Sequence, residues 1–230
     1  MKIKIETILI LSILLLINAA IYAQPTAVEF FNNGLQLAVK GEFVKAKEEF
    51  HKALKIDSLF SQAELGIKTI KDVTEKKILP KTGIHIFKGV YYDEQGKYEQ
   101  SISEYIKAIE INPNYADAYN NRGVSYYNQG KYEQAISDYT RAIKLNPKYA
   151  DAYNNRGIVY YDQGQHNQAI KDYSKAIEVS KSYAKAYHNR GLVYMVVLKD
   201  KEKGCADWKK ACELGECYNY NIAKEKGYCP

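Results

Sequence analysis

Residues 116–183 contain two copies of one sequence, and this repetition decides the fold. Ala116–Tyr149 reads ADAYNNRGVSYYNQGKYEQAISDYTRAIKLNPKY, and Ala150–Tyr183 reads ADAYNNRGIVYYDQGQHNQAIKDYSKAIEVSKSY. The period is therefore 34 residues. A fixed period of this length indicates a repeat architecture, in which each unit is too small to bury its apolar face alone and must stack on its neighbours.

The two copies belong to a longer array in which four residue columns keep the same spacing. The recurring positions are Gly89, Gly123, Gly157 and Gly191, then Tyr92, Tyr126, Tyr160 and Tyr194, then Tyr105, Tyr139 and Tyr173, and finally Ala108, Ala142 and Ala176. A short turn, Asn128–Gly130 or Asp162–Gly164, divides each unit. The small residues in these columns allow two backbones to approach closely.

The columns resemble the tetratricopeptide repeat, whose pattern runs aromatic, x, x, Leu, Gly, x, x, Tyr, then Ala, x, x, x, Phe, and finally Pro. The unit from Ala116 carries this pattern as Tyr119, Arg122, Gly123, Tyr126, Ala135, Tyr139, Ala142 and Pro147. The resemblance implies an all-α fold, a right-handed α-solenoid of helix-turn-helix repeats. It also implies a concave groove, lined by the first helices, that holds a peptide or a partner protein.

The resemblance covers most of the chain unevenly. A divergent unit begins at Ala27, Ser61–Lys77 has the composition of one helix, and Ile78–Gly83 indicates a break before the array. In the last unit, Trp208 matches its column only after a one-residue insertion. The predicted organisation is a signal peptide at 1–23, a divergent N-terminal unit at 24–60, a linking helix and hinge at 61–81, three regular units at 82–183, and a divergent unit with a cysteine-rich C-terminal cap at 184–230.

The first 23 residues have the composition of a secretory signal peptide. Lys2 and Lys4 precede an apolar stretch at Ile8–Ile17, and small residues stand before Gln24. We therefore expect an exported protein, periplasmic or extracellular and of bacterial type. The alternative is a retained leader, which would anchor the chain to a membrane as a structural or assembly component of the cell envelope.

Four cysteines, Cys205, Cys212, Cys217 and Cys229, lie in the last 26 residues. An even, clustered set in an exported chain predicts disulfides, and zinc is the competing interpretation. Cys205 and Cys212 stand about 10.5 Å apart along one helix, beyond the reach of a bridge. The pairs Cys212 with Cys217 and Cys205 with Cys229 are favoured, because Gly215 turns the chain back between two helices.

Within the groove that the resemblance implies, candidate partner-binding residues are identified by their distance from the recurrent glycine. They are Asn120, Asn121, Tyr127, Asn154, Asn155, Tyr161, His188 and Asn189. A row of asparagines suits an extended peptide, because each amide offers both donors and an acceptor to a peptide backbone. The alternative is that these asparagines only cap or solvate a surface.

Arginines occupy the column where the repeat pattern expects leucine, at Arg122, Arg156 and Arg190. One interpretation is that their aliphatic stems pack on tyrosines while the charged heads reach water. The other is that the guanidinium row stacks on tyrosines or meets acidic groups of a partner.

Composition argues for binding without catalysis. The net charge of +6 is too small for a dedicated nucleic-acid binder. The four histidines are scattered without a cysteine or carboxylate at ligand or triad spacing, and every recurrent glycine is explained by the repeat. The sequence therefore predicts no catalytic residue, metal, cofactor, nucleic acid or small-molecule substrate, a membrane association only if the leader is retained, and a protein or peptide partner.

Overall fold

The computed structural model of the protein describes residues 25–57 and 61–230, and it is helical. The predicted signal peptide at 1–23 and the end of the first predicted unit, 58–60, lie outside the described residues. No strand occurs in the described ranges. The helices are α1 Ala27–Val39, α2 Phe43–Ile56, α3 Ser61–Thr74, α4 Pro80–Asp93, α5 Tyr98–Ile111, α6 Ala116–Asn128, α7 Tyr132–Leu145, α8 Ala150–Asp162, α9 His166–Val179, α10 Ala184–Leu192, α11 Lys201–Glu213 and α12 Tyr218–Glu225.

The chain forms two compact units, which divide after Ile70 within α3. In the described part of the first unit, the ring of Phe50 lies against two helix glycines, Gly34 and Gly66. Thr26 caps α1, since its hydroxyl accepts from the backbone N–H of Glu29 and the Glu29 carboxylate accepts from the N–H of Thr26. The described residues 27–56 therefore form two helices with a glycine–aromatic contact like that of the array.

The second unit is a solenoid of helix pairs. We name the first helices of its repeats, α4, α6, α8 and α10, the A helices, and their partners α5, α7, α9 and α11 the B helices. Each A helix packs on its own B helix, and each B helix packs on the next A helix. This serial packing is the α-solenoid of helix-turn-helix repeats that the sequence predicts.

The recurrent glycine sets the distance between the two helices of a repeat. A Cβ atom on Gly123 would lie 2.7 Å from Cε1 of Tyr139, and one on Gly157 would lie 2.7 Å from Cε1 of Tyr173. Both tyrosine rings are almost fully buried. The ring occupies the space that any larger side chain in the glycine column would need, so the two columns must occur together.

The last repeat contains the one-residue insertion, and a π-helical turn at Val193–Val197 accommodates it. A π turn absorbs one extra residue without ending the helix. The Trp208 ring then packs against Gly191, as tyrosine does in earlier repeats. The insertion also places Lys199, with φ 57°, at the turn position that Gly130 and Gly164 fill with φ 72° and 73°.

The C-terminal segment covers the end of the array. α12 packs on α11, and disulfides join Cys205 to Cys229 and Cys212 to Cys217, the pairs favoured by the sequence. In the ranges that the structure describes, no group of three or more His, Cys, Asp or Glu side chains could hold a metal ion. None of the described helices is long and apolar enough to cross a membrane.

Candidate partner-binding surface

The A helices form the inner side of the second unit. Consecutive A helices contact each other directly, as α6 does with α4 and α8, whereas the described B helices contact one another less. A stack of helix pairs curves toward the layer whose helices lie closer together. The A helices therefore form the concave layer, and they carry all eight candidate partner-binding residues.

Asparagine side chains link neighbouring A helices in a ladder. Nδ2 of Asn155 donates to Oδ1 of Asn120 over 3.1 Å, and Nδ2 of Asn189 donates to Oδ1 of Asn154 over 2.9 Å. Each bond spans 35 residues, from one repeat to the preceding one. We call this set the amide ladder. Its bonds hold successive A helices in register. They use amide groups that the sequence analysis assigned to binding of a peptide backbone.

The ladder separates the candidate asparagines into two groups. Asn120, Asn121 and Asn154 are buried, with exposed fractions of 6%, 7% and 3%. Asn155 and Asn189 are partly exposed. Asn120 and Asn154 accept the bonds between repeats. Of these asparagines, Asn155 and Asn189 are the ones with side chains exposed enough to be candidates for contact with a partner.

Asn121 stands at the start of the ladder, where the acceptor is absent. The residue 35 positions before it is Ile86, which is 1% exposed, so no amide oxygen occupies the expected place. Nδ2 of Asn121 is buried and has no hydrogen-bond partner within the described residues. A buried donor without an acceptor costs about 1–3 kcal/mol.

Two tyrosines extend the partly exposed surface along α6 and α8. The Tyr127 hydroxyl donates to Asp162 over 2.7 Å, and burial together with this carboxylate raises the pKa of Tyr127 to about 12. The Tyr161 ring lies 5.4 Å from the His166 ring. Asp162 lies 35 residues after Tyr127, and the equivalent position 35 residues after Tyr161 is occupied by Val196. Tyr161 therefore lacks the carboxylate that fixes Tyr127.

His188 lies where the surface meets the C-terminal cap. Its Nε2 is 3.3 Å from Nδ2 of Asn219, and its Nδ1 is 3.9 Å from a carboxylate oxygen of Glu216. The indole N–H of Trp208 donates to the carbonyl of His188 over 3.1 Å. The cap thus reaches the concave side and bounds the surface at one end.

Tyrosine–aspartate pairs, which sequence reasoning missed, join the beginnings of the A helices. The Tyr183 hydroxyl donates to Asp151 over 2.6 Å. Burial of the Tyr149 hydroxyl, together with the charge of Asp117 and a hydrogen bond with it, raises the pKa of Tyr149. At Tyr115 the array has no aspartate in register, and Asp72 from α3 accepts instead over 3.0 Å. The available signal was the recurrence of Asp117 and Asp151 at the repeat period.

The charged heads of the arginine column pair with aspartates of this chain and lie over tyrosine rings. Arg156 donates two hydrogen bonds to Asp172, at 2.7 and 2.8 Å, and a third to Thr140 at 2.9 Å. The hydrogen bond with Asp172 raises the pKa of Arg156, and the Tyr153 and Tyr160 rings lie within 5.9 Å of its guanidinium carbon.

The same pairing recurs on both sides of this repeat. Asp138 pairs with Arg122, and Asp207 pairs with Arg190. These are structural ion pairs between the A and B helices of a repeat. The predicted packing of the arginines on tyrosines is correct, and their charged heads pair with aspartates of this chain although the side chains remain partly exposed.

Comparison with known proteins identifies the repeat class. A family model described as TPR repeat matches residues 90–130, 125–164 and 159–195. Residues 90–195 of this chain are therefore similar to tetratricopeptide repeats. The crystal structure of MamA is 27% identical with a TM-score of 0.53, covering 81% of this chain and 96% of that chain.

A second crystal structure, YrrB, is described as a TPR protein with an unusual peptide-binding site. It is 20% identical with a TM-score of 0.53, covering 87% of this chain and 92% of that chain, and at this identity it supports the fold alone. A search of curated protein sequences finds no match.

Proposed function

We propose that this protein is a non-catalytic interaction scaffold that binds a peptide or a segment of a partner protein along the concave side of its repeats. Tetratricopeptide repeats support an interaction role, and the direct contacts between successive A helices support a binding surface on their side of the array. The partner lies across α6, α8 and α10, against Tyr127, Asn155, Tyr161, His188 and Asn189.

The observation that carries this proposal is a row of partly exposed side chains on a rigid support. The amide ladder and the arginine–aspartate pairs fix the A helices from within, so the surface is organised before a partner arrives. A preorganised surface loses little conformational entropy on binding. Tyr161 supplies an aromatic ring with a free hydroxyl in this row, which is the type of side chain enriched at binding hot spots.

Site-specific photo-crosslinking tests the proposal. The photoreactive residue p-benzoylphenylalanine replaces Tyr161 in one protein and Ser137 in another, where Ser137 is exposed on the B helix α7. We expect a discrete adduct in an envelope extract from the position 161 protein and none from the position 137 protein. The identified partner, once purified, should bind the Tyr161→Ala and His188→Ala variants at least about tenfold more weakly.

Two outcomes would contradict this function. Equal crosslinking from positions 161 and 137 would show that the concave side has no special role. A purified partner whose affinity does not change in either variant would place the contact elsewhere. Circular dichroism of each variant checks that the helical array is intact.

We further propose that the protein works outside the cytoplasm. The two disulfides support this location, because such bonds persist in oxidising compartments. N-terminal sequencing of the protein from its native envelope fraction should give a start at or near Gln24. A chain that begins at Met1 and resists extraction by salt would instead favour the membrane-anchored envelope component.

A further inference from the structure

A second concave feature lies at the C-terminal cap, apart from the A-helix surface. It is a pocket of about 400 Å³ between α11, α12 and the last residues of the chain. Lys201, Cys205 and Lys209 stand at four-residue intervals on one face of α11 and form one side. Tyr220 and Tyr228 form the other side. We call it the cap pocket.

The cap pocket is held open by bonds on its own walls. The Cys205–Cys229 disulfide ties the chain end to α11 at the base. The N–H groups of Tyr228 and Cys229 donate to the carbonyl of Ala223 at 2.8 and 3.2 Å, and the Tyr220 hydroxyl donates to Pro230 at 3.2 Å. The wall that carries Tyr228 is therefore fixed although its ring is 51% exposed.

Lysine side chains stand around this pocket. Nζ of Lys201 lies 5.1 Å from the centroid of the Tyr228 ring, and Nζ of Lys224 lies 5.8 Å from that of Tyr220. Among the lining residues the acidic side chain is Glu202. Neither Lys201 nor Lys209 forms an ion pair with a residue that the structure describes, so both ammonium groups are available to a ligand.

The interior of the pocket is apolar. Two tyrosine rings, the disulfide and the methyl group of Ala206 make up much of its lining. Pockets of this volume with apolar walls and a few charged groups are typical of small-molecule sites. Aromatic rings of a ligand can stack on the tyrosine rings. An anionic group can accept charge-assisted hydrogen bonds from the two lysine ammonium groups at the rim.

We propose that the cap pocket binds a small aromatic anion, a carboxylate or sulfonate. Its ring system lies between Tyr220 and Tyr228, and its acidic group lies between Lys201 and Lys209. The site uses α11, α12 and the chain end, and none of the residues of the A-helix surface. It binds a ligand without transforming it, and it is independent of the proposed scaffold function.

Two dyes with the same rings provide a direct test on the purified full chain with its disulfides intact. 8-Anilinonaphthalene-1-sulfonate carries the sulfonate, and N-phenyl-1-naphthylamine lacks it. We expect saturable fluorescence enhancement at one site per chain. The sulfonate should bind about tenfold more tightly, because a charge-assisted hydrogen bond contributes about one factor of ten in affinity.

Variants assign the dyes to the pocket. Lys201→Gln with Lys209→Gln should remove the advantage of the sulfonate and leave the neutral dye unchanged, while Tyr228→Ala should weaken both. The matched control is Lys210→Gln, since Lys210 lies on α11 outside the pocket and pairs with Glu213. A thiol titration on each variant verifies that the disulfides remain closed.

Three results would overturn the proposal. They are equal affinity for the two dyes, an unchanged affinity for the sulfonate in the double lysine variant, and the same loss in Lys210→Gln. A fourth result would be loss of dye binding in Tyr161→Ala but not in Tyr228→Ala, because the dye would then bind on the concave side.

Discussion

Asn121 and Asn155 have the same residue type in the same register of adjacent repeats, yet the structure predicts opposite consequences for their loss. Asn155 donates to Asn120 over 3.1 Å, so Asn155→Ala leaves a buried amide oxygen without its donor. We expect a loss of about 1–3 kcal/mol in the free energy of unfolding. Asn121→Ala removes a donor that is already unpaired, at the cost of one long hydrogen bond of 3.4 Å from Asn120. We expect a change within about 0.5–1 kcal/mol.

Urea denaturation followed by circular dichroism measures the difference, with thermal midpoints as a second readout. For a unit of this size, 1 kcal/mol corresponds to about 2–4 °C. Ile86→Asn, which supplies the missing acceptor, completes a double-mutant cycle. Ile86→Asn should lower the free energy of unfolding less when residue 121 is asparagine than when it is alanine. The difference between the two effects should be about 0.5–1.5 kcal/mol. Equal destabilisation by the two alanine variants, or no coupling in the cycle, would refute the amide ladder as a stabilising element.

Three further predictions concern the fold. Lys199→Gly should raise the free energy of unfolding by about 1 kcal/mol in urea denaturation, since Lys199 has φ 57° where earlier repeats have glycine, and a loss of stability would contradict this. Arg156→Ala should lower the free energy of unfolding by about 3–5 kcal/mol, because Asp172 is left buried without its cation. Arg156→Leu with Asp172→Leu should recover most of that loss. Unchanged stability of Arg156→Ala would show that the pair is not stabilising. Gly123→Val should unfold the array, because its Cβ would lie 2.7 Å from the Tyr139 ring, whereas Gly123→Val with Tyr139→Ala should restore part of the helical signal.

The sequence alone was sufficient for the repeat class and for the helix pairs. Glycine, tyrosine and alanine columns recur every 34 residues, and each column acts through sterics within one repeat, so the order along the chain predicts the contact. The last repeat shows the same logic, since the one-residue insertion needed to align Trp208 appears as the π turn at Val193–Val197. The favoured cysteine pairs followed from helix length and one turn, which are also local properties.

The use of the polar columns was decided only by the tertiary structure. A period of 34 shows that Asn155, Arg156 and Asp172 recur, but it does not show which columns face each other. That depends on how far each helix is rotated about its axis and shifted along its neighbour when the repeats stack. Packing of the helices turned four of the five asparagines into links between repeats and paired Arg122, Arg156 and Arg190 with aspartates. Local sterics fix the approach of two helices, whereas hydrogen bonds between side chains 16 or 35 residues apart depend on the rotation and shift of each helix against its neighbours.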